Sequence, residues 1–137
     1  MEHIIIDAKD SIAGRLASYA AKQALIGKKV DIVNCELAIV TGKKKFLIDK
    51  YKRKLGRGNV FKGPFISRSP DRLFRRMVRG MLPYKNYRGK IAFKSVMCYN
   101  TVPETLKEKK SIILKDAHLS KLSNINYMTI KNLTKLL

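Results

Sequence analysis

HIIIDAKDSIAGRLASYAAKQALIGKKVDIVNC, residues 3–35, decides the fold class. His3-Ile4-Ile5-Ile6 is a short, mostly β-branched run that ends at Asp7 and reads as a strand. Asp10 or Ser11 is placed to cap a helix that runs to Ile26 and stops at Gly27. On a 100° wheel, Ile12, Ala13, Leu16, Ala17, Ala20 and Ala24 share one side, and Arg15, Ser18 and Lys22 lie on the other. An alanine-rich stripe lets a helix lie close to a sheet. Residues 30–35, VDIVNC, form a second β-branched run, followed by LAIV at 37–40. Strand, helix and strand in this order predict a βαβ unit with parallel strands.

Beyond Val40 the character changes. Thr41 is placed to cap a helix over 43–55, with Phe46, Leu47, Ile48 and Tyr51 as its apolar side. GRGNVFKGP, residues 56–64, is a glycine-rich basic loop expected to be mobile when free. Ser69-Pro70-Asp71 combines a capping hydroxyl, a first-turn proline and an acid near the positive end of the dipole, and starts a helix expected to reach Leu82. A short helix over 88–94, a strand over 95–99, a polar loop over 103–110 and a closing helix over 127–137 complete the expected order.

The chain has 137 residues with 30 lysines and arginines against 10 acids, a net charge of +20. Hydrophobic residues make up 45%, enough for a real core rather than a disordered basic chain. Residues 43–94 hold 18 basic residues and only Asp49 and Asp71, so this segment carries 18 − 2 = +16. The rest carries 12 − 8 = +4. A concentrated excess reads as a footprint for a polyanion. No apolar run approaches a membrane span, and MEHIIIDAKD lacks the features of a secretory leader. Two cysteines 63 positions apart make neither a disulfide framework nor a zinc motif, and the chain reads as intracellular, soluble and reduced.

Arg72, Arg75, Arg76 and Arg79 recur at i, i+3, i+4 and i+7, within about 100° of arc. Leu73, Phe74, Met77, Val78 and Met81 fall opposite them and are expected in the core. Four like charges on one stripe cost an isolated helix a few tenths of a kcal/mol per pair. Arginine also suits bidentate contact with phosphate. The stripe therefore predicts a facing anion; a merely solvated basic face is the plainer alternative. Phe61, Phe65 and Tyr51 lie among the charges and could either stack on unpaired bases or anchor loop and core.

TGKKK at 41–45 fails as a Walker A loop, because no glycine stands at position 37 and no hydroxyl follows Lys43. DAKDSIAG lacks the dinucleotide fingerprint. His3 and His118 have no sequence neighbours that suggest a triad or a general base. An enzyme, cofactor or metal is not expected. An RNA-processing enzyme docking its substrate through the same basic surface, and a DNA-binding protein, are the alternatives to structural RNA binding.

GRLAS at 14–18, AK at 21–22, LIGKKV at 25–30, VNCE at 33–36, TG at 41–42 and above all RSPDRLFRRMVRGMLPYKNYRG at 68–89 resemble the L-thirteen family of large ribosomal subunit proteins. The resemblance runs from Ile4 to about Pro103 and is nearest the archaeal and eukaryotic branch. It implies a three-layer α/β/α fold with a small, mainly parallel four-stranded sheet plus basic helices and loop extensions. One domain over 1–137 would comprise a βαβ start (1–42), basic RNA-facing helices and loop (43–94) and a C-terminal tail and helix (104–137).

The implied function is a structural, cytoplasmic constituent of the large subunit. It would bind large-subunit ribosomal RNA and neighbouring ribosomal proteins, with no membrane or small-molecule substrate, and would support assembly and translation. The RNA-contacting candidates are Arg15, Lys43, Lys44, Lys45, Lys52, Arg53, Lys54, Arg57, Lys62, Arg68, Arg72, Arg75, Arg76, Arg79, Lys85, Arg88 and Lys90.

Overall fold

A computed structural model describes residues 1–137. Strand β1 (His3–Asp7) leads into α1 (Ala13–Ile26) and β2 (Lys29–Val33). β1 and β2 pair in parallel, His3 opposite Lys29 and Asp7 opposite Val33. β3 (Ile39–Thr41), α2 (Lys44–Leu55), α3 (Pro70–Gly80) and α4 (Tyr87–Lys94) follow, and then β4 (Val96–Cys98) returns to the sheet parallel to β2. The chain closes with α5 (Glu104–Lys107), β5 (Tyr127–Thr129) and α6 (Ile130–Lys135).

The main sheet has the order β1-β2-β4. Its fourth position is filled by a single parallel bridge from Ile112 to Ile6, where Ile112 N–H donates to Ile5 C=O at 2.8 Å. β3 stands outside this sheet and pairs antiparallel with β5. LAIV is thus split: Leu37 ends a 3₁₀ turn, and Ile39 opens a strand whose partner lies nearly ninety residues away.

Alternation along the strands divides the core. Ile4, Ile6, Val30, Ile32, Val96 and Cys98 join the large cluster on one face, and Ile5 and Val33 join Leu106 on the other. The large cluster takes in Leu16 and the alanine stripe of α1, Leu47 and Tyr51 of α2, Leu73, Phe74 and Val78 of α3, and Ile130 and Leu133 of α6. The opposite face is covered more thinly, by α5 with Tyr99 and Val102 alongside. Each large side chain fully buried in the main cluster is worth about 1.5–3 kcal/mol.

Several local expectations change. Neither Asp10 nor Ser11 caps α1. Asp10 takes a left-handed turn (φ 53°), and Ser11 is buried, its carbonyl accepting from Ile39 N–H at 2.9 Å. The helix then starts from Ile12, whose N–H donates to Ala117 C=O at 2.7 Å. A tertiary link has replaced the local cap. Thr41 likewise ends β3 instead of capping α2. Ser69 and Pro70 do begin α3, but the Ser69 hydroxyl engages the Asp71 carboxylate rather than a backbone amide. Met81 lies past the helix end and is 44% exposed.

The polar segment 103–110 contains α5, held by buried Leu106. The closing helix begins three residues late because Tyr127–Thr129 pair with β3; Thr129 Oγ1 then caps α6 by accepting from Asn132 N–H at 3.3 Å. The glycine-rich loop is closed as a tight hairpin. Asn59 and Gly63 exchange backbone hydrogen bonds of 3.1 and 2.8 Å. Gly58 makes this possible: its φ is +81°, and a Cβ there would lie 1.7 Å from Gly63 C=O.

Candidate nucleic-acid interface

α2 buries Leu47 and Tyr51, one turn apart, and so directs Lys44, Lys45, Lys52 and Arg53 outward. Near its end Lys54 is half-buried, with its Nζ 5.2 Å from the Tyr51 ring centre. Lys54 is held below the ordinary lysine pKa, first by burial and then by repulsion from Lys50, Arg57 and Arg76. Those three residues come from α2, the hairpin and α3. Tyr51, Lys54, Ile66, Leu73, Arg76 and Met77 line one cleft where these elements meet. Arg57 and Arg68 flank the adjoining groove beneath Val60 and Phe65.

α3 buries Leu73, Phe74 and Val78 and leaves its arginines toward solvent, but not equally. Arg72 is exposed. Arg75 turns to the protein's own backbone: Nε donates to Val96 C=O at 3.0 Å and Nη2 to Phe93 C=O at 3.2 Å. Its guanidinium lies 4.2 Å from the Phe93 ring centre. Arg76 Nη1 donates to Phe65 C=O at 3.4 Å, and Arg79 lies 5.0 Å from the Tyr84 ring centre. Lys54, Arg75, Arg76 and Arg79 are half-buried, and the other candidates are exposed.

The three ion pairs of the chain are His3–Asp31, Lys28–Glu2 and Lys131–Glu36. None uses a candidate residue, so no carboxylate is paired with the candidate cations. The candidates are not all together. Arg15 lines a separate cleft with Lys22 and Lys115, its Nη1 donating to Asp116 C=O at 3.4 Å. Lys44 lies beside Tyr127, Asn132 and Lys135 of the C-terminal elements.

Of the aromatics, Tyr51 is in the core, and burial raises its phenol pKa. Phe61 and Phe65 are 88% and 71% exposed. Sequence reasoning passed over Tyr84, Tyr87 and Lys94, which share a cleft with Arg79 and Lys90. The signal was available in PYKNYRG, where aromatics alternate with cations.

The remaining reactive groups do not converge. His3 Nε2 lies 2.7 Å from buried Asp31 Oδ2, with no nucleophile completing a triad. His118 bonds locally to Ser120. Cys35 and Cys98 are both buried, and Cys98 is pushed well above the ordinary thiol pKa, first by its hydrogen bond with Cys35 and then by burial. No group of three or more His, Cys, Asp or Glu side chains could hold a metal ion.

A small α/β body with a cationic, carboxylate-poor face defines a class of basic proteins suited to a polyanion. The family model described as Ribosomal protein L13 matches residues 1–105, and the chain belongs to that family, one of structural ribosomal constituents rather than enzymes. It is similar to the large ribosomal subunit protein uL13 of Methanopyrus kandleri, 41% identical over 136 residues, covering 98% of this chain and 86% of that protein. The uL13 proteins of Archaeoglobus fulgidus and Haloarcula marismortui are each 40% identical over 134 residues, covering 97% and 98% of this chain and 86% and 90% of their own lengths. No helix is long and apolar enough to cross a membrane.

Proposed function

We propose that this protein is a cytoplasmic structural constituent of the large ribosomal subunit, binding ribosomal RNA and supporting subunit assembly and translation. The observation that carries the RNA-binding reading is the +16 segment, most of whose cations are exposed and none of which forms an ion pair with a carboxylate. Lys52, Arg53, Lys54, Arg57, Arg68, Arg72, Arg76 and Arg79 form the centre of the contact surface. Lys43, Lys44, Lys45, Lys62, Lys85, Arg88 and Lys90 extend it. Arg15, with Lys22 and Lys115, offers a separate patch. Arg75 contributes its charge while its Nε and Nη2 hold the fold. The whole chain acts as one folding unit, and neighbouring large-subunit proteins are further partners.

The test is co-sedimentation with the large subunit and retention through a high-salt wash, together with a salt titration on large-subunit RNA fragments. Neutralising about eight phosphates gives a slope of log affinity against log salt of roughly −6 to −7. A slope near zero, or equal affinity for duplex DNA, overturns the reading.

A further inference from the structure

The turn between α3 and α4, Leu82-Pro83-Tyr84-Lys85-Asn86, is tightly folded. Tyr84 N–H donates to Leu82 C=O at 2.8 Å and Asn86 N–H to Pro83 C=O at 2.9 Å. Gly89 of α4 packs directly on it: a Cβ there would lie 1.9 Å from Pro83 C=O and 2.9 Å from Tyr84 N. Only glycine permits this approach, and with the turn so folded Tyr84 and Tyr87 line one cleft. Between them opens a cleft of about 290 Å³. Tyr87, Lys90, Ile91 and Lys94 lie on one stripe of α4, half-buried Phe93 lines the cleft from the core side, and Arg79 lies over the Tyr84 ring.

Three features bear on the occupant. Tyr87 is 80% exposed and Tyr84 41%; Arg79 lies over the Tyr84 ring, while the Tyr87 ring stands in water with no cation over it. Arg79, Lys90 and Lys94 surround the rings, and no carboxylate lines the cleft. Its volume is at the small end of ligand pockets, too small for a peptide helix and suited to one planar ring.

We propose that this cleft takes a single unpaired nucleotide of the bound RNA, its base stacked on Tyr87 and its phosphate held by Lys90, Lys94 and Arg79. The inference rests on the RNA-binding reading above and adds a subsite to it. Stacking on an aromatic side chain tolerates any base, so the cleft selects unpaired nucleotides over paired ones rather than one base over another.

The test uses the full-length protein and two RNA hairpins, one with a bulged 2-aminopurine and one fully paired. Wild-type protein binds the bulged hairpin more tightly and quenches its fluorescence. Tyr87→Ala, with an unchanged circular dichroism spectrum, removes the quenching. It also weakens the bulged complex roughly five- to a hundredfold, while affinity for the paired hairpin stays within about twofold. Tyr87→Phe retains both properties, because stacking needs the ring and not the hydroxyl. Equal losses on both hairpins, or none on either, overturn the proposal while leaving RNA binding intact. Binding of an acidic peptide that is lost in Tyr87→Ala, without any bulge preference in wild type, overturns it in favour of a protein partner. Failure of wild-type protein to bind either hairpin overturns this subsite and the RNA-binding reading together.

Discussion

Arg75 Nε donates to the carbonyl oxygen of Val96 at 3.0 Å, so the α3 stripe contains a clasp as well as contact residues. β4 has no strand on its outer edge. A guanidinium with several donors satisfies the outward Val96 carbonyl and adds a second donor to the Phe93 carbonyl at the end of α4.

Arg75→Gln is therefore expected to destabilise the fold by about 1–3 kcal/mol, because it leaves the carbonyl of buried Val96 without its donor. Arg72→Gln, on the same stripe but exposed, stays within about 0.5 kcal/mol. Urea denaturation of the two variants checks this. Equal midpoints would show that Arg75 is no clasp.

The triple variant Arg72→Gln, Arg76→Gln, Arg79→Gln keeps the clasp and removes three cations from the same helix. RNA affinity falls, and the salt slope becomes shallower by about 2–3 units if each arginine neutralises one phosphate. Anisotropy titrations at several salt concentrations measure it. An unchanged slope would place the RNA elsewhere.

Lys54 reports on its neighbours by titration. Its pKa is lowered in the folded protein, so between that value and the usual 10.5 the folded state binds fewer protons than the unfolded chain. The charged form thus carries a penalty at neutral pH, and stability rises as pH climbs through the lowered value towards 10.5. A phosphate close to Lys54 reverses the shift, and RNA binding at alkaline pH then takes up a proton. NMR titration of the Lys54 side chain with and without RNA shows whether the value moves up; no movement would remove Lys54 from the contact surface.

Gly58→Ala forces a Cβ into Gly63 C=O and opens the hairpin. The Gly63 amide then loses its bond to Asn59 and exchanges faster with solvent, while global stability changes little because the hairpin lies outside the core clusters. Hydrogen exchange at Gly63 reads this directly. Protection equal to wild type would mean the hairpin tolerates a side chain there.

Cys35 and Cys98 are expected to resist iodoacetamide at pH 8 in the native protein and to react on unfolding. Both are buried, and the Cys98 thiolate is disfavoured by the hydrogen bond with Cys35 and by burial. Mass spectrometry of alkylated protein counts the modified thiols; rapid labelling of the native state would contradict the burial.

Residues 3–35 were legible because each element declares itself over a few turns or strand positions. β-branched runs, an alanine stripe at helical spacing and Gly27 in the left-handed region all act locally. The same holds for the start of α3 at Ser69-Pro70 and for its buried side, Leu73, Phe74 and Val78. The pairing of Ile39–Thr41 with Tyr127–Thr129 was not legible, since three-residue strands carry little periodicity and their partners are distant. Nor was the start of α1, where Ala117 supplies from far along the chain the acceptor that Asp10 or Ser11 could have supplied locally.

Sequence alone determined the βαβ start, the one-sided burial of α3 and the concentration of positive charge between Lys43 and Lys94, because periodicity and charge are sums over neighbours in the chain. Tertiary structure alone decided that Lys54, Arg57 and Arg76 stand together, that Arg15 lies in a separate cleft, that Arg75 is turned inward, and that Tyr84 and Tyr87 line one cleft with Arg79. Those relations depend on which backbone carbonyls need donors and how closely two elements approach. Both are properties of packing, which brings together groups that the chain itself keeps apart.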